Sequence, residues 1–269
     1  MRAWIPIFLV GTGCADRLPS RSSVDPGALR VLAVRAESPE IRPDEGTVLT
    51  AFVWPREIRV QRGADEVTIE ATAAWIACAD PPGGDPSRCV EREDAWPLRE
   101  GLETVVDARD APDGASSIGA VAYVCLGDLL AQHIPPICEG DLAVAAKRVS
   151  ISGTPQNTNP AIERLSLGGD EIPGDGIAFG ACLDTCPRYR LAVDPADDAA
   201  QTIPGAGRRE SLLVAFATDR GAFDRGFDDG TPFEAQFTPS TGAGDANVWI
   251  VLHDDRGGVG LRQILVRTE

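Results

Sequence analysis

The sequence predicts an all-β chain: two consecutive β-sandwich domains behind an export signal and a tether. Three observations lead there. Apolar and polar side chains alternate with period two in one short run after another, each bounded by Pro, Gly or Asp, which is the pattern of half-buried strands. A 3.6-residue period is almost absent. The stretch Gly153 to Pro160 (GTPQNTNP) carries no aliphatic or aromatic side chain, so it divides the runs into two series and reads as a linker. The expected organisation is a signal peptide over 1–13, a tether over 14–27, a first sandwich over 28–152, a linker over 153–160 and a second sandwich over 161–269.

The chain opens with Met1-Arg2, an apolar run from Ala3 to Val10, and the small residues Gly11-Thr12-Gly13 before Cys14. A charged start, a short apolar centre and small residues before a cut form an export signal. The run is far shorter than the ~20 residues of a membrane-spanning helix. Gly13-Cys14-Ala15 also suits ordinary cleavage after Ala15, which would discard Cys14. Val10 to Cys14 resembles the lipobox of bacterial lipoproteins, with Thr12 and Gly13 at the two small positions and Gly11 where the pattern prefers an aliphatic residue. That resemblance implies a lipidated Cys14 at the head of the mature chain. Its acyl chains would hold the protein on a membrane surface, as an outer-membrane lipoprotein facing the periplasm or the cell surface.

The first series of strands runs Leu29 to Ala36, Thr47 to Trp54 and Glu66 to Cys78, then LETVVDA, Ser117 to Leu126 and Leu142 to Ser152. Between the last two, LGDLLAQH reads as one or two helical turns. The second series runs AIERLSLGG, RYRLAVDP, Glu210 to Thr218, FEAQFTP, ANVWIVLHD and VGLRQILVRT. An Asp/Gly turn, DDRGG, joins the last two as a hairpin, because Gly supplies the positive φ that such turns need.

The net charge of −16 argues against nucleic acid, whose phosphates require a basic face. Hydrophobic residues make up 43% of the chain but aromatics only 6%, so the cores are aliphatic. Beyond Cys14, six cysteines remain: Cys78, Cys89, Cys125, Cys138, Cys182 and Cys186. An even set in an exported chain reads as three disulfides, and proximity in the chain favours Cys78–Cys89, Cys125–Cys138 and Cys182–Cys186.

The C-terminal half resembles PKD-type and bacterial Ig-like modules from about Asn159 to Thr268. The residues that carry the likeness are Pro239, Gly242, Val248, Ile250, Leu252, Asp254 and Gly257, which in those modules form the last two strands and their turn. The fold class is thus two consecutive Ig-like β-sandwich domains. The arrangement as a whole resembles surface lipoproteins of GC-rich deltaproteobacteria, myxobacteria among them, and that likeness implies a surface location and no activity.

Chemistry-bearing motifs are sparse. The only histidines are His133 and His253. No serine stands in a Gly-x-Ser-x-Gly elbow, and no HExxH, Walker loop or dinucleotide fingerprint occurs. No catalytic residue is assigned, and a hydrolase of unfamiliar type is the remotest alternative. Acidic loops hold Asp194, Asp197 and Asp198, and further on Asp219, Asp224, Asp228 and Asp229. The second group is a candidate calcium site, since calcium gathers several oxygen ligands; no other cofactor is expected. Trp75 and Trp249 are expected in the cores, whereas Trp54 and Trp96 adjoin prolines and are candidates for a contact surface. The expected role is non-catalytic: binding, adhesion or envelope structure, with an envelope protein or glycan as partner and a calcium-dependent adhesive module as the alternative.

Overall fold

The structure, a computed structural model, describes residues 28–62, 65–80, 84–154, 156–174 and 176–269. The leader, Cys14 and the tether lie outside the described residues. The described chain is nearly all strand, with two short 3-10 turns at Pro86–Glu91 and Ala108–Asp110.

The first half contains β1 (Arg30–Ala36), β2 (Glu40–Ile41), β3 (Gly46–Trp54), β4 (Glu57–Arg62), β5 (Asp65–Ala79), β6 (Trp96–Pro97), β7 (Glu103–Asp107), β8 (Ser117–Leu130) and β9 (Ile137–Ile151). One sheet has the order β1-β3-β7. The other has the order β2-β9-β8-β5-β4, with β6 pairing β5. Alternate residues of β5 (Ala71, Ala73, Trp75, Ala77) and β8 (Ile118, Ala120, Ala122, Val124) meet Val34, Ala36, Leu49, Ala51 and Val106 of the facing sheet. Alanines on one side let the sheets approach, and Trp75 fills the remaining space. Its indole N–H donates to the Gly101 carbonyl at 2.7 Å, so a buried ring leaves no orphaned donor. The outer face of the same sheet is covered where Cys78 is bonded to Cys89, which draws the 3-10 turn over Ile76, Val121 and Tyr123. The central strand β8 is therefore buried on both faces from Ser117 to Leu126.

The stretch expected as a helical turn, LGDLLAQH, instead carries β8 on to Leu130, and β9 begins five residues earlier than the alternation suggests. The two strands pair without a break from Ser117/Ser150 to Leu130/Ile137, so the ladder supplies main-chain partners that an isolated helical turn would lack. Gly127 and Gly140 sit opposite each other. A Cβ on Gly127 would lie 2.6 Å from the Glu139 carbonyl oxygen, and one on Gly140 would collide with that of Leu126. Cys125 pairs in register with Leu142 and Cys138 with Leu129, yet the two cysteine Cα atoms are 5.6 Å apart. A straight ladder would separate them by roughly 13 Å. The hairpin therefore folds sharply at its glycine pair, and the Cys125–Cys138 bond closes the corner.

The second half contains β10 (Ile162–Leu167), β11 (Asp170–Glu171), β12 (Gly176–Phe179), β13 (Tyr189–Pro195), β14 (Leu212–Thr218), β15 (Ala222–Phe223), β16 (Phe227–Asp228), β17 (Phe233–Thr238), β18 (Gly244–Asp254) and β19 (Val259–Thr268). Two five-stranded sheets, β11-β10-β13-β17-β15 and β12-β19-β18-β14-β16, enclose a second core that includes Leu165, Leu191, Phe216, Phe237, Ile250 and Val266. Val248, Ile250 and Leu252 point into it. The Asp254 carboxylate closes the β18–β19 turn by accepting from the N–H groups of Arg256 (2.9 Å) and Gly258 (2.7 Å), while Gly257 supplies φ +95°. The fold is thus all-β, with two consecutive sandwiches. The third disulfide, Cys182–Cys186, ties the loop between β12 and β13.

The corner at Gly140 yields a stability prediction. Gly140→Ala forces the β8 and β9 main chains apart and lowers the unfolding free energy by about 2–3 kcal/mol. Gly153→Ala, where nothing lies within 4 Å of the added carbon, stays within about 0.5 kcal/mol of the wild type. Urea unfolding followed by tryptophan fluorescence compares the two.

Candidate functional site

The two sandwiches are joined by a seam with an apolar centre. In β1 the register against β3 shifts between Val31 and Ala33, and a bulge of this kind sets consecutive side chains on one side of the strand. Both Leu32 and Ala33 consequently leave the first core and pack with Phe52 of β3 on the second sandwich. They meet Ala215 and Ala217 of β14, Trp249 and Val251 of β18, and Val259. Trp54 lies against Trp249 with ring centroids 5.0 Å apart, a contact worth about 0.5–1.5 kcal/mol beyond the area it buries.

A polar rim surrounds this centre. Arg256, on the β18–β19 turn, donates to Glu40 of β2 at 2.8 Å and to Glu210 at 3.1 Å. The same Glu40 oxygen accepts from the N–H groups of Gln156 and Asn157, both at 2.8 Å. Asn159 bridges the halves: its side-chain amide donates to the carbonyls of Ala36 (2.7 Å) and Glu37 (3.0 Å), and its oxygen accepts from the Val259 N–H (2.8 Å). The segment read from sequence as a linker is stitched to both sides. Beside it opens a polar cavity of 280 Å³ lined by Glu40, Gln156, Ile203 and Arg256 among others. The Arg256 guanidinium on its wall is already held by two carboxylates, so the recess presents no cation seeking an anion.

Lys147, the single lysine of the chain, is buried in β9 and donates to the Gly257 carbonyl across the seam. His253 follows Trp249 and Val251 on the same face of β18. Burial, with the Lys147 charge added, pushes its imidazole down to about 4, so it is neutral near pH 7. Burial also raises the carboxyls of Glu210 and Asp254 above the ordinary range. These groups carry structural work. Glu210 accepts from the Gln201 N–H at 2.8 Å, and Asp254 holds its turn.

The calcium candidates are spent in the same way. Asp219 accepts from both the main-chain and side-chain N–H groups of Asn247 at 2.7 Å. Asp224 accepts from the Gln236 N–H and Asp228 from the Glu234 N–H, each at 2.8 Å. Asp229 is exposed. Among the described residues no three His, Cys, Asp or Glu side chains converge on a point that could hold a metal ion. Asp219 is thus tied to β18, and Asp224 and Asp228 to β17, with Arg225 beside the latter two. In the earlier acidic loop, Asp194 pairs with Arg164 at 3.3 Å. His133 is exposed in the β8–β9 loop, with no nucleophile placed beside it.

Trp75 lies in the first core as expected. Trp54 and Trp96 are half-buried, with buried indole nitrogens: Trp54 lies in the seam and Trp96 packs on the first core. Trp249, expected in the second core, is in the seam. Alternation identifies which side chains are covered but not which body covers them. The seam itself was invisible, because its residues come from both series.

No protein-family model matches the chain, and no curated protein matches it. Among solved structures it is similar to fibronectin(III)-like modules of Clostridium thermocellum CbhA, at 9% identity over 90% of this chain and 94% of that one, with a TM-score of 0.31. It is also similar to the N-terminal Ig1-2 module of the Drosophila receptor protein tyrosine phosphatase DLAR, at 9% identity over 90% and 99%, TM-score 0.25. The D0-D1 domain of intimin aligns at 12% identity over 87% and 98%, TM-score 0.21. Likenesses this distant assign nothing to the chain; the fold rests on its own sheets and cores.

Two predictions follow from these placements. Because the candidate aspartates do not converge on one point, millimolar calcium leaves the melting temperature unchanged within about 1 °C, whereas occupancy of a site would raise it; differential scanning calorimetry decides. The second concerns pH. The folded-state pKa of His253, about 4, lies below the unfolded value of about 6.5. The unfolded chain therefore binds this proton first, and the stability contribution is present above pH 6.5 and lost as pH falls towards 4. Glu210 and Asp254 act oppositely, taking up protons more readily when folded. His253→Gln isolates the first effect: urea titrations at pH 7 and 4.5 show a smaller acid loss in the variant, by up to about 2–3 kcal/mol.

Proposed function

We propose that the chain is a lipid-anchored, extracytoplasmic binding or adhesion module of the cell envelope, without catalytic activity, whose two sandwiches act as one presenting body. The observation that carries this reading is the seam. The polar groups Asn159, Glu210 and Asp254 are engaged in holding the halves and the β18–β19 turn together. A body fixed in shape, with its polar groups spent on its own architecture, suits recognition through its surface.

Supporting the location are the leader and the cystines. Three disulfides close short loops, and such bonds persist in oxidising compartments. Cys14 is the proposed acylation site, with the tether over 14–27 spacing the first sandwich from the membrane. The partner is an envelope protein or a glycan.

Cell fractionation tests the anchor. Wild-type protein is expected in the membrane fraction, labelled by a palmitate analogue, and Cys14→Ser in the soluble extracytoplasmic fraction without label. Membrane retention of Cys14→Ser at the wild-type level sinks the proposal of lipidation.

A further inference from the structure

The edge of β9 differs from the terminal strands of the sheets. β11, β15 and β16 are two residues long and β12 four. β7 has five, and β4, with six, carries Glu57, Arg59 and Arg62. β1 packs Leu32 and Ala33 against the second sandwich and runs close to β9. Short and charged edges are how proteins prevent unwanted strand pairing. β9 is fifteen residues long. It pairs with β8 throughout; on its other side β2 pairs with it only at Ser150 and Ile151, β1 of the facing sheet passes close by without pairing, and Gly257 approaches at Lys147 and Arg148. From Ile137 to Ala146 it has no Lys, Arg or Pro and no break in register.

The direction of its main-chain groups can be read from its far end. The N–H groups of Ser150 and Ser152 donate away from β8, to Pro39 and Ile41, while that of Ile151 donates to Ser116. Antiparallel strands alternate this direction with every residue. With the register unbroken, Gly140, Leu142, Val144 and Ala146 direct their N–H and C=O groups to the open side. Leu142 and Val144 are also 47% and 51% exposed. They share the outer face with Ala146, which packs beside Val121 and Tyr123. The stretch thus offers a main-chain ladder and an apolar side-chain row together.

Charge narrows the partner. The only charged side chains from Ile137 to Ala146 are Glu139 and Asp141, on the face opposite Leu142 and Val144. Asp128 stands directly across from Glu139 in the ladder, a like-charge pair that costs stability and that a cation would relieve. We infer that the open edge of β9, from Gly140 to Ala146, accepts a β-strand from a partner protein whose side chains alternate apolar and basic. The apolar residues lie beside Leu142 and Val144 and the basic ones beside Asp141, while Glu139 and Asp128, just past the corner at Gly140, add negative potential. Main-chain pairing supplies affinity and the two faces supply selectivity. The inference rests on the reading of the chain as a binding module and names its surface.

The test uses the full chain, a fluorescein-labelled octapeptide of alternating Val and Lys, and a Val/Glu counterpart. In the unbound protein, hydrogen exchange at the Leu142 and Val144 amides is fast and at Ala143 and Ala145 slow; the Val/Lys peptide slows the first pair. Anisotropy titrations show the Leu142→Lys/Val144→Lys variant binding the Val/Lys peptide at least about tenfold more weakly. Glu57→Gln/Glu70→Gln, which removes acidic groups elsewhere, stays within about twofold. Circular dichroism confirms that both variants fold. Slow exchange at Leu142 and Val144 in the unbound protein overturns the inference, as does equal binding by the Lys variant or by the Val/Glu peptide. So does sedimentation showing a dimer that the Lys variant abolishes, which would make the occupant a second copy. Peptide binding is also measured on Cys14→Ser, so loss of the anchor and failure of the edge are read separately.

Discussion

A single irregularity in β1 governs how the molecule is put together. The bulge at Leu32 and Ala33 turns two neighbouring side chains out of the first sandwich and onto the second. Val34 and Ala36, just beyond, return to the first core. One seven-residue strand therefore contributes to two hydrophobic bodies. A regular strand would offer alternate residues only, and its outward set would be separated by an inward residue. With both Leu32 and Ala33 on the seam, Phe52 and Trp54 have apolar neighbours on which to extend the contact. The driving force is the non-directional removal of apolar surface from water.

Hydrophobic burial alone does not choose an angle. The rim does that, because hydrogen bonds depend on direction. Asn159 reaches two carbonyls on one sandwich and a main-chain N–H on the other, so a rotation about the seam breaks all three together. Arg256 adds a charge-assisted link between Glu40 and Glu210, whose side chain is fully buried. Such an arrangement is weak evidence for net stability, since desolvation offsets much of the attraction, but losing one partner would leave an uncompensated buried charge. The rim therefore selects one docking geometry more than it strengthens it. Lys147 and the neutral His253 lie at the same boundary, which is why acid is felt there.

Period-two alternation made most strands legible. Its limits show at particular residues. β4 went unread because EIRVQR has three charged residues and only two aliphatics, Ile58 and Val60. The far part of the β8–β9 hairpin was mistaken because Gly127, Gly140 and Pro135-Pro136 look like punctuation, whereas the ladder continues through the glycines. Trp249 obeys the alternation fully, but on β18 its face is the seam, and no local pattern distinguishes an intramolecular core from a contact with another domain. In the acidic loops, sequence spacing does not show which groups the side chains meet. Sequence counts carboxylates, while the structure ties Asp219 to Asn247 and Asp228 to Glu234, and among the described residues the acidic groups do not converge on one point. The cystines were the easier case, since short separations left each pair few competing partners.

The bulge also bears on how load would travel under the proposed anchoring. Tension from a membrane tether at Cys14 would reach the first sandwich through β1, the first of its strands. β1 is an edge strand of its sheet, and an edge strand held by β3 alone could be peeled one hydrogen bond at a time. Here its seam-facing residues are clamped by β14, β18 and Val259. Detaching it requires exposing part of both apolar clusters at once. A partner strand on β9 would pull from the opposite sheet of the same sandwich, with the core of Val34, Trp75 and Val124 between the two points of attachment. Strain would then cross a packed aliphatic interior, where side chains interdigitate and yield little. The seam that fixes the shape of the molecule is in that case also what keeps its membrane-proximal strand in place.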